Sequence, residues 1–188
     1  NDDMKIVVIT GSPHKNGTSA LLADEFIRGA GENGHEVFRF DTAFECVHPC
    51  IGCDACETGK KPCVFKDCMT ELYPKLKESD MVVFVSPLYY HGLSSQIKMA
   101  IDRFHGIDDH LHGADKRAML IVTAADTAPS VMNGAVGTYR ETLRYLGWKD
   151  AGMLLAYGCY TRADIEKTDY PHKAYELGKR VKNDGVAE

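Results

Sequence analysis

The sequence predicts an α/β fold in which a doubly wound, five-stranded parallel sheet carries helices on both faces. Short runs rich in Val and Ile alternate five times with longer segments of helical periodicity. The first of them, residues 5–10, is a short apolar run, as expected for a strand that is buried on both faces. The 188 residues contain no internal repeat, low-complexity tract or linker. We therefore expect one domain over residues 1–188, with right-handed crossovers between its strands.

The first part of the chain predicts two strands and a helix, followed by a long loop. Residues 5–10, KIVVIT, form the first predicted strand, and residues 19–34 form a helix that ends in glycines. Residues 35–41 predict the second strand. Residues 42–68 have the composition of a loop and hold six of the seven cysteines.

The second part of the chain continues the alternation of helix and strand. Helices are predicted over residues 69–77, 94–105, 133–146 and 163–181, and strands over residues 80–87, 116–124 and 150–160. We expect Pro74 to weaken the first of these helices and Pro171 to break the last. Cys159, on the last predicted strand, is expected in the core.

Composition and charge exclude several classes of function. The net charge is −5 and there is no long basic run, so the chain is not expected to bind nucleic acid. The longest apolar stretch is far shorter than the roughly 20 residues of a membrane helix. No signal-peptide pattern is present, so we expect a cytoplasmic protein. In that compartment an odd number of cysteines, seven, indicates free thiols, metal ligation or redox chemistry rather than a disulfide framework.

The loop between the first strand and the first helix, GSPHKNGTS, has the composition of an anion site. It lies where ligands bind in open parallel sheets, at the N-terminus of a helix. It lacks the Gly-Lys-Ser/Thr of a Walker loop and the dinucleotide fingerprint, which favours a phosphate monoester such as that of FMN. A helix start capped by Ser or Thr is the alternative interpretation. The polar side chains of the loop are those of Ser12, His14, Asn16, Thr18 and Ser19.

Two segments resemble one known family. Residues 11–22, GSPHKNGTSALL, resemble the phosphate loop of the flavodoxin-like NAD(P)H-dependent FMN reductases. Residues 86–104, SPLYYHGLSSQIKMAIDRF, resemble the flavin-ring loop of that family and the helix after it. The resemblance covers most of the chain in the same order, and it implies a flavodoxin-like domain with strand order 2-1-3-4-5. Where the family commonly carries Arg or Lys in the phosphate loop, this chain has His14.

The resemblance also implies which residues bind FMN. The phosphate ligands would be Ser12, His14, Asn16, Thr18 and Ser19, and the isoalloxazine would be wrapped by Pro87, Leu88, Tyr89, Tyr90, His91 and Gly92. Thr123 and Asp126, in the loop after the fourth strand, are further candidates at the same rim. Alternatively, Tyr89 and Tyr90 are core or interface aromatics.

A compact cysteine motif lies in the long loop. Cys50, Cys53, Cys56 and Cys63 have the spacing C-x2-C-x2-C-x6-C, and such short spacings let thiolates converge on one centre. The motif resembles that of the iron–sulfur flavoproteins, a branch of the same fold family, which implies a 4Fe-4S cluster near the flavin. Structural zinc and free thiols at a dimer interface or substrate mouth remain alternatives.

The function implied by the resemblance is FMN-dependent NAD(P)H oxidoreduction. Electrons would pass from the nicotinamide through FMN to a quinone, a nitro or azo compound, free flavin or an iron–sulfur acceptor, and no catalytic side chain is required. The alternatives are an electron carrier that serves a redox protein, and a cysteine-based redox sensor. Flavin sites in this family lie at subunit interfaces, so a homodimer or tetramer is expected.

Overall fold

The computed structural model describes residues 2–182, which form one sheet with helices on both faces. Its strands are β1 (Lys5–Thr10), β2 (Glu36–Asp41), β3 (Met81–Tyr89), β4 (Gly92–Leu93), β5 (Arg117–Thr123) and β6 (Lys149–Ala156). Five of them pair in parallel in the order β2-β1-β3-β5-β6. This confirms the predicted topology, with β5 and β6 as the fourth and fifth strands of that prediction.

The structure adds one short strand to the five that were predicted. β4 pairs antiparallel with the end of β3, so that Gly92 lies opposite Tyr89. The turn between them is made by Tyr90 and His91, whose φ angles are 45° and 62°. A strand of two residues has no periodicity, and therefore nothing in the sequence indicated it.

The helices are α1 (Thr18–Glu32), α2 (Met69–Glu78), α3 (Ser95–Asp102), α4 (Asp108–Leu111), α5 (Asn133–Leu146), α6 (Arg162–Glu166) and α7 (Tyr170–Arg180). The helix predicted over residues 94–105 ends earlier, and a 3-10 turn over Arg103–Ile107 follows it. Pro74 does not break α2, because Leu72 and Leu76 anchor that helix in the core. The last predicted helix is two helices, and Pro171 lies in the first turn of α7, where a proline is tolerated.

Alternate residues of each central strand face two separate hydrophobic layers. Val7 and Val82 pack in the layer formed by α2, α3 and α5. Ile6 and Val83 pack in the layer formed by α1 and α7. The strands are therefore buried on both faces, as their continuous apolar runs predicted.

The C-terminal helix α7 packs unusually closely against α1. A Cβ atom at Gly29 would collide with the carbonyl oxygen of Tyr175, and one at Gly178 would collide with that of Phe26. This contact anchors the chain beyond β6, including the segment that leads into α6. Within residues 2–182, no helix has the length and apolar character required to cross a membrane.

Candidate functional site

A cavity of about 820 Å³ opens at the carboxyl ends of β1, β3, β5 and β6. This is the edge at which open parallel sheets bind ligands. The lining residues come from four segments: Ser12, Pro13, His14, Lys15, Asn16, Gly17 and Thr18; Pro87, Leu88 and Tyr89; Thr123 and Ala125; and Cys159, Tyr160, Thr161 and Arg162.

The first loop leaves the N-terminus of α1 free to bind an anion. The N-cap of α1 is Gly17, which has no side chain, and the first turn of the helix carries no acidic residue. The hydroxyl of Ser12 bonds within the loop instead, accepting the His14 N–H at 3.0 Å. The alternative of a helix start capped by a Ser or Thr side chain is therefore wrong. The N–H groups of the first turn and the helix dipole point at the cavity.

The charge of the cavity wall has one sign. Lys15 and Arg162 are cations, His14 is a third basic residue, and no Asp or Glu lines the cavity. The chain as a whole carries a net charge of −5. The wall therefore has a local excess of positive charge, which favours an anionic ligand.

The second loop supplies an apolar wall beside the first. Pro87, Leu88 and Tyr89 line the cavity, and burial raises the pKa of the Tyr89 hydroxyl, so that it stays protonated. Tyr90 and His91, in the β3–β4 turn, and Gly92, at the start of β4, lie outside the lining. Tyr89 is 40% exposed and Tyr90 fully exposed, so neither is a core residue, and the interface interpretation remains open.

Two more of the predicted cofactor residues lie outside the cavity lining. Ser19 is buried in the first turn of α1. Asp126 accepts the N–H of Ala128 at 2.9 Å through its side chain and the N–H of Gly158 at 3.0 Å through its carbonyl oxygen. Thr123 does line the cavity, and its hydroxyl lies 2.9 Å from that of Thr18. That contact joins the end of β5 to the start of α1.

Ser94 connects the first loop of the cavity to the second through hydrogen bonds. It is fully buried and caps α3, and its hydroxyl donates to the carbonyl oxygen of Gly11 at 2.6 Å. Its N–H donates to the hydroxyl of Ser86 at 2.9 Å. The end of β3, at Ser86, and the first loop are thus held in fixed relation by one residue.

The sequence did not predict the fourth wall of the cavity, Cys159–Arg162. Cys159 is buried, but it follows β6 and does not lie on a strand, and burial raises the pKa of its thiol. A reciprocal capping box between Thr161 and Asp164 starts α6 here. The spacing of this Thr and Asp, immediately after an apolar run, was the available sequence signal.

The four cysteines of the compact motif line a second, smaller cavity. Cys50, Cys53, Cys56 and Cys63 share it with Arg103, and none of its lining residues lines the first cavity. All seven cysteines are free thiols. Among residues 2–182, the one group of three potential ligand atoms within 4.8 Å of one another comes from Cys56, Glu57 and His105. The four thiols are therefore not arranged around a single tetrahedral ion of the zinc type.

Comparison with known proteins decides the family. The model of the NADPH-dependent FMN reductase family matches residues 4–151. The chain belongs to this family. The match confirms the resemblance carried by the two loops. The match ends before Cys159–Arg162.

The relatives of this chain include archaeal iron–sulfur flavoproteins. One from Archaeoglobus fulgidus is 37% identical over 180 residues, which are 95% of this chain and 79% of the relative. One from Methanocaldococcus jannaschii is 40% identical over 101 residues, and the match spans about half of each protein, 53% and 51%.

Solved structures show the same fold at low identity. The NAD(P)H:quinone oxidoreductase from Methanothermobacter marburgensis superposes with a TM-score of 0.70 at 16% identity, over 94% of this chain and 96% of that one. An FMN-dependent NADH-azoreductase from Bacillus anthracis gives 0.66 at 14% identity, over 93% and 98%.

Both implied cofactors fit the residues that are present. For FMN, the first cavity offers free helix N–H groups, hydroxyls and cations at one end and an apolar wall at the other. For a cluster, four free thiols face one small cavity beside a buried guanidinium. The Nε atom of Arg103 is buried and has no hydrogen-bond partner among the described residues. It is a donor available to an electron-rich sulfur in that cavity.

Proposed function

We propose that this protein is an FMN-dependent NAD(P)H oxidoreductase. The observation that carries the proposal is the first cavity, in which a cationic lining without carboxylates meets the free N-terminus of α1 beside an apolar wall. Such a cavity suits a ligand with a phosphate at one end and a flat aromatic ring at the other. Its volume of about 820 Å³ also lies in the range of small-molecule sites.

The first loop binds the phosphate in this proposal. Ser12, Asn16 and Thr18 supply polar side chains, and His14 supplies a further donor. The backbone N–H groups at the start of α1, including that of Ser19, complete the anion site. The hydroxyl contact between Thr18 and Thr123 positions the end of β5 against this loop.

The second loop contacts the ring. Pro87 and Leu88 exclude water from one side, and Tyr89 supplies an aromatic face and a protonated hydroxyl. Tyr90 and His91 form the exposed turn over the outer rim, and Gly92 follows them at the start of β4. Bound FMN would supply the hydride chemistry, so the chain needs no catalytic acid or nucleophile of its own.

The electron acceptor is a quinone, a nitro or azo compound, free flavin or an iron–sulfur centre. We propose a 4Fe-4S cluster on Cys50, Cys53, Cys56 and Cys63, supported by their shared cavity and by the names of the archaeal relatives. A second function, an electron carrier for a redox protein, is favoured by the exposure of Cys50 and Cys53. A cluster at that position would lie within reach of a protein partner.

A second copy of the chain completes the site in this proposal. Tyr90 and Tyr160 are 103% and 81% exposed, and both flank the first cavity. Exposed aromatic residues beside a ligand site suit burial in a subunit interface. A cytoplasmic homodimer or tetramer of one-domain chains stays a prediction, which sedimentation of the full chain would test.

The first experiment is an anaerobic visible spectrum before and after addition of NADPH. Flavin bands that bleach within seconds support the oxidoreductase. A broad additional shoulder that bleaches in part, together with iron and inorganic sulfide, supports the cluster. Flavin that ignores NADPH and NADH but accepts electrons from a ferredoxin-like donor supports the carrier. A protein that takes up no FMN contradicts the proposal.

A further inference from the structure

Arg162 reaches the first loop from outside the segment that matches the family. It is the first residue of α6, whereas the family match ends at residue 151. Its Nη1 donates to the carbonyl oxygen of Asn16 at 3.3 Å. Arg162 thus lies against the loop that holds the proposed phosphate site, and it also lines the cavity.

The guanidinium is held in place on two sides. Its Nε donates to Glu166 at 2.7 Å, one helical turn further along α6. The capping box of Thr161 and Asp164 fixes the backbone on either side of Arg162, with contacts of 2.8 Å and 3.2 Å. Among the described residues Nη2 has no hydrogen-bond partner, so one edge of the fork remains available to a ligand.

Arg162 is better placed for a ligand than the other cations of the wall. The Lys15 ammonium lies over the ring of Phe44, 4.9 Å from its centroid, at the rim of the loop. His14 is exposed and stands where the family commonly carries Arg or Lys. The side chain of Arg162 is 38% exposed, so it is partly desolvated and still open to the cavity.

We propose that Arg162 binds the phosphate monoester of FMN and supplies the positive charge that the family commonly carries at the position of His14. The inference rests on the proposed FMN site. The guanidinium offsets part of the charge of the phosphate dianion and donates from Nη2 to one phosphate oxygen. Glu166 orients the fork through Nε, which leaves the charge of Arg162 partly compensated and its direction fixed.

The test compares FMN with riboflavin, which has the same ring and no phosphate. Full-length protein freed of flavin is titrated with each, and fluorescence quenching gives the dissociation constants. Arg162→Gln should weaken FMN binding about 10- to 100-fold, as expected for one charge-assisted contact, and leave riboflavin binding unchanged. Arg162→Lys should recover part of the loss, because it keeps the charge but not the fork.

Arg144→Gln is the matched control, because Arg144 also pairs with a glutamate on its own helix but does not line the cavity. It should bind both flavins as the wild type does. An unchanged FMN constant in Arg162→Gln overturns the inference. Equal losses for FMN and riboflavin also overturn it, since Arg162 would then be purely structural.

Two further outcomes separate this inference from the function on which it rests. A rise in KM for NADPH but not NADH, with FMN binding unchanged, would assign Arg162 to the nicotinamide cofactor and overturn the inference. Wild-type protein that binds neither FMN nor riboflavin would contradict the proposed function itself.

Discussion

Arg103 and Asp67 form a two-point ion pair beneath the cysteine loop. The Nη1 and Nη2 atoms of Arg103 lie 2.6 Å and 3.1 Å from the two carboxylate oxygens of Asp67. Their side chains are 2% and 7% exposed. Nη1 also donates to the carbonyl oxygen of His48 at 2.7 Å, and Asp67 accepts the N–H of His48 at 2.8 Å. The pair therefore ties the two ends of the cysteine loop together.

Removal of Arg103 should destabilise the fold strongly. Arg103→Met removes the guanidinium that pairs with the buried Asp67 carboxylate, and we expect a loss of about 3–5 kcal/mol in the free energy of unfolding. Chemical denaturation followed by circular dichroism measures it. Arg144→Met removes an exposed arginine and should unfold at the wild-type midpoint. Equal midpoints for the two variants would show that the buried pair contributes nothing.

The same pair should make stability depend on acid. Burial alone would raise the pKa of Asp67, but hydrogen bonds from Arg103 and from the N–H groups of His48 and Met69 outweigh it and lower that pKa. A carboxylate with a lowered folded pKa stabilises the protein above its unfolded pKa of about 3.9, and this contribution is lost as pH falls through the folded value.

Asp67→Asn should therefore be less stable than wild type at pH 7, and the difference should shrink as the pH falls below about 4. Denaturation midpoints between pH 7 and pH 2 test this. The matched control is Asp109→Asn, because the exposed Asp109 also has a lowered pKa, through its hydrogen bond with Lys61. Because solvent screens this exposed ion pair, the stability difference between Asp109→Asn and wild type should be much smaller. If the stability difference between Asp67→Asn and wild type stayed constant from pH 7 to pH 2, a lowered pKa of Asp67 in the folded protein would be contradicted.

Close packing at Gly11 should couple the phosphate loop to α3. A Cβ atom there would collide with the Ser94 hydroxyl and lie 2.8 Å from the Cβ of Ile97. Gly11→Ala should push the loop away from α3, cost about 1–3 kcal/mol in stability and weaken FMN binding. Gly31→Ala meets nothing within 4 Å and should be neutral or stabilise α1 by up to about 1 kcal/mol. Similar FMN affinities in the two variants would exclude this coupling.

The sequence predicted the sheet well because its signal is local. Apolar runs marked the central strands, and glycines marked the ends of some helices. The pattern overestimated the length of the last helix, because helical periodicity continues across residues 167–169, where the chain is not helical. It also placed Cys159 on a strand, because an apolar run does not show where hydrogen bonding between strands stops.

The lining of the first cavity was predicted where it comes from one segment and missed where it depends on tertiary contacts. The loop with Ser12 and Thr18 lies between one strand and one helix, so its position in the sequence sufficed to predict that it lies at this edge of the sheet. Arg162 is distant from that loop in sequence and reaches it through a tertiary contact, its hydrogen bond to the Asn16 carbonyl oxygen. Arg103, within the predicted helix over 94–105, gave no sign that it would bond to Asp67 across 36 positions.

Iron binding by single cysteine variants distinguishes a 4Fe-4S cluster on the cysteine motif from a single metal ion or free thiols. Cys56→Ser removes a thiol that lines the small cavity, whereas Cys46→Ser removes one outside it, which makes it the matched control. After anaerobic reconstitution with iron and sulfide, we expect wild type and Cys46→Ser to hold similar iron and Cys56→Ser to lose most of it. His105→Ala should retain iron, because a four-thiolate site does not use the nearby imidazole. Loss of metal in His105→Ala but not in Cys50→Ser would instead favour a single ion on Cys56, Glu57 and His105.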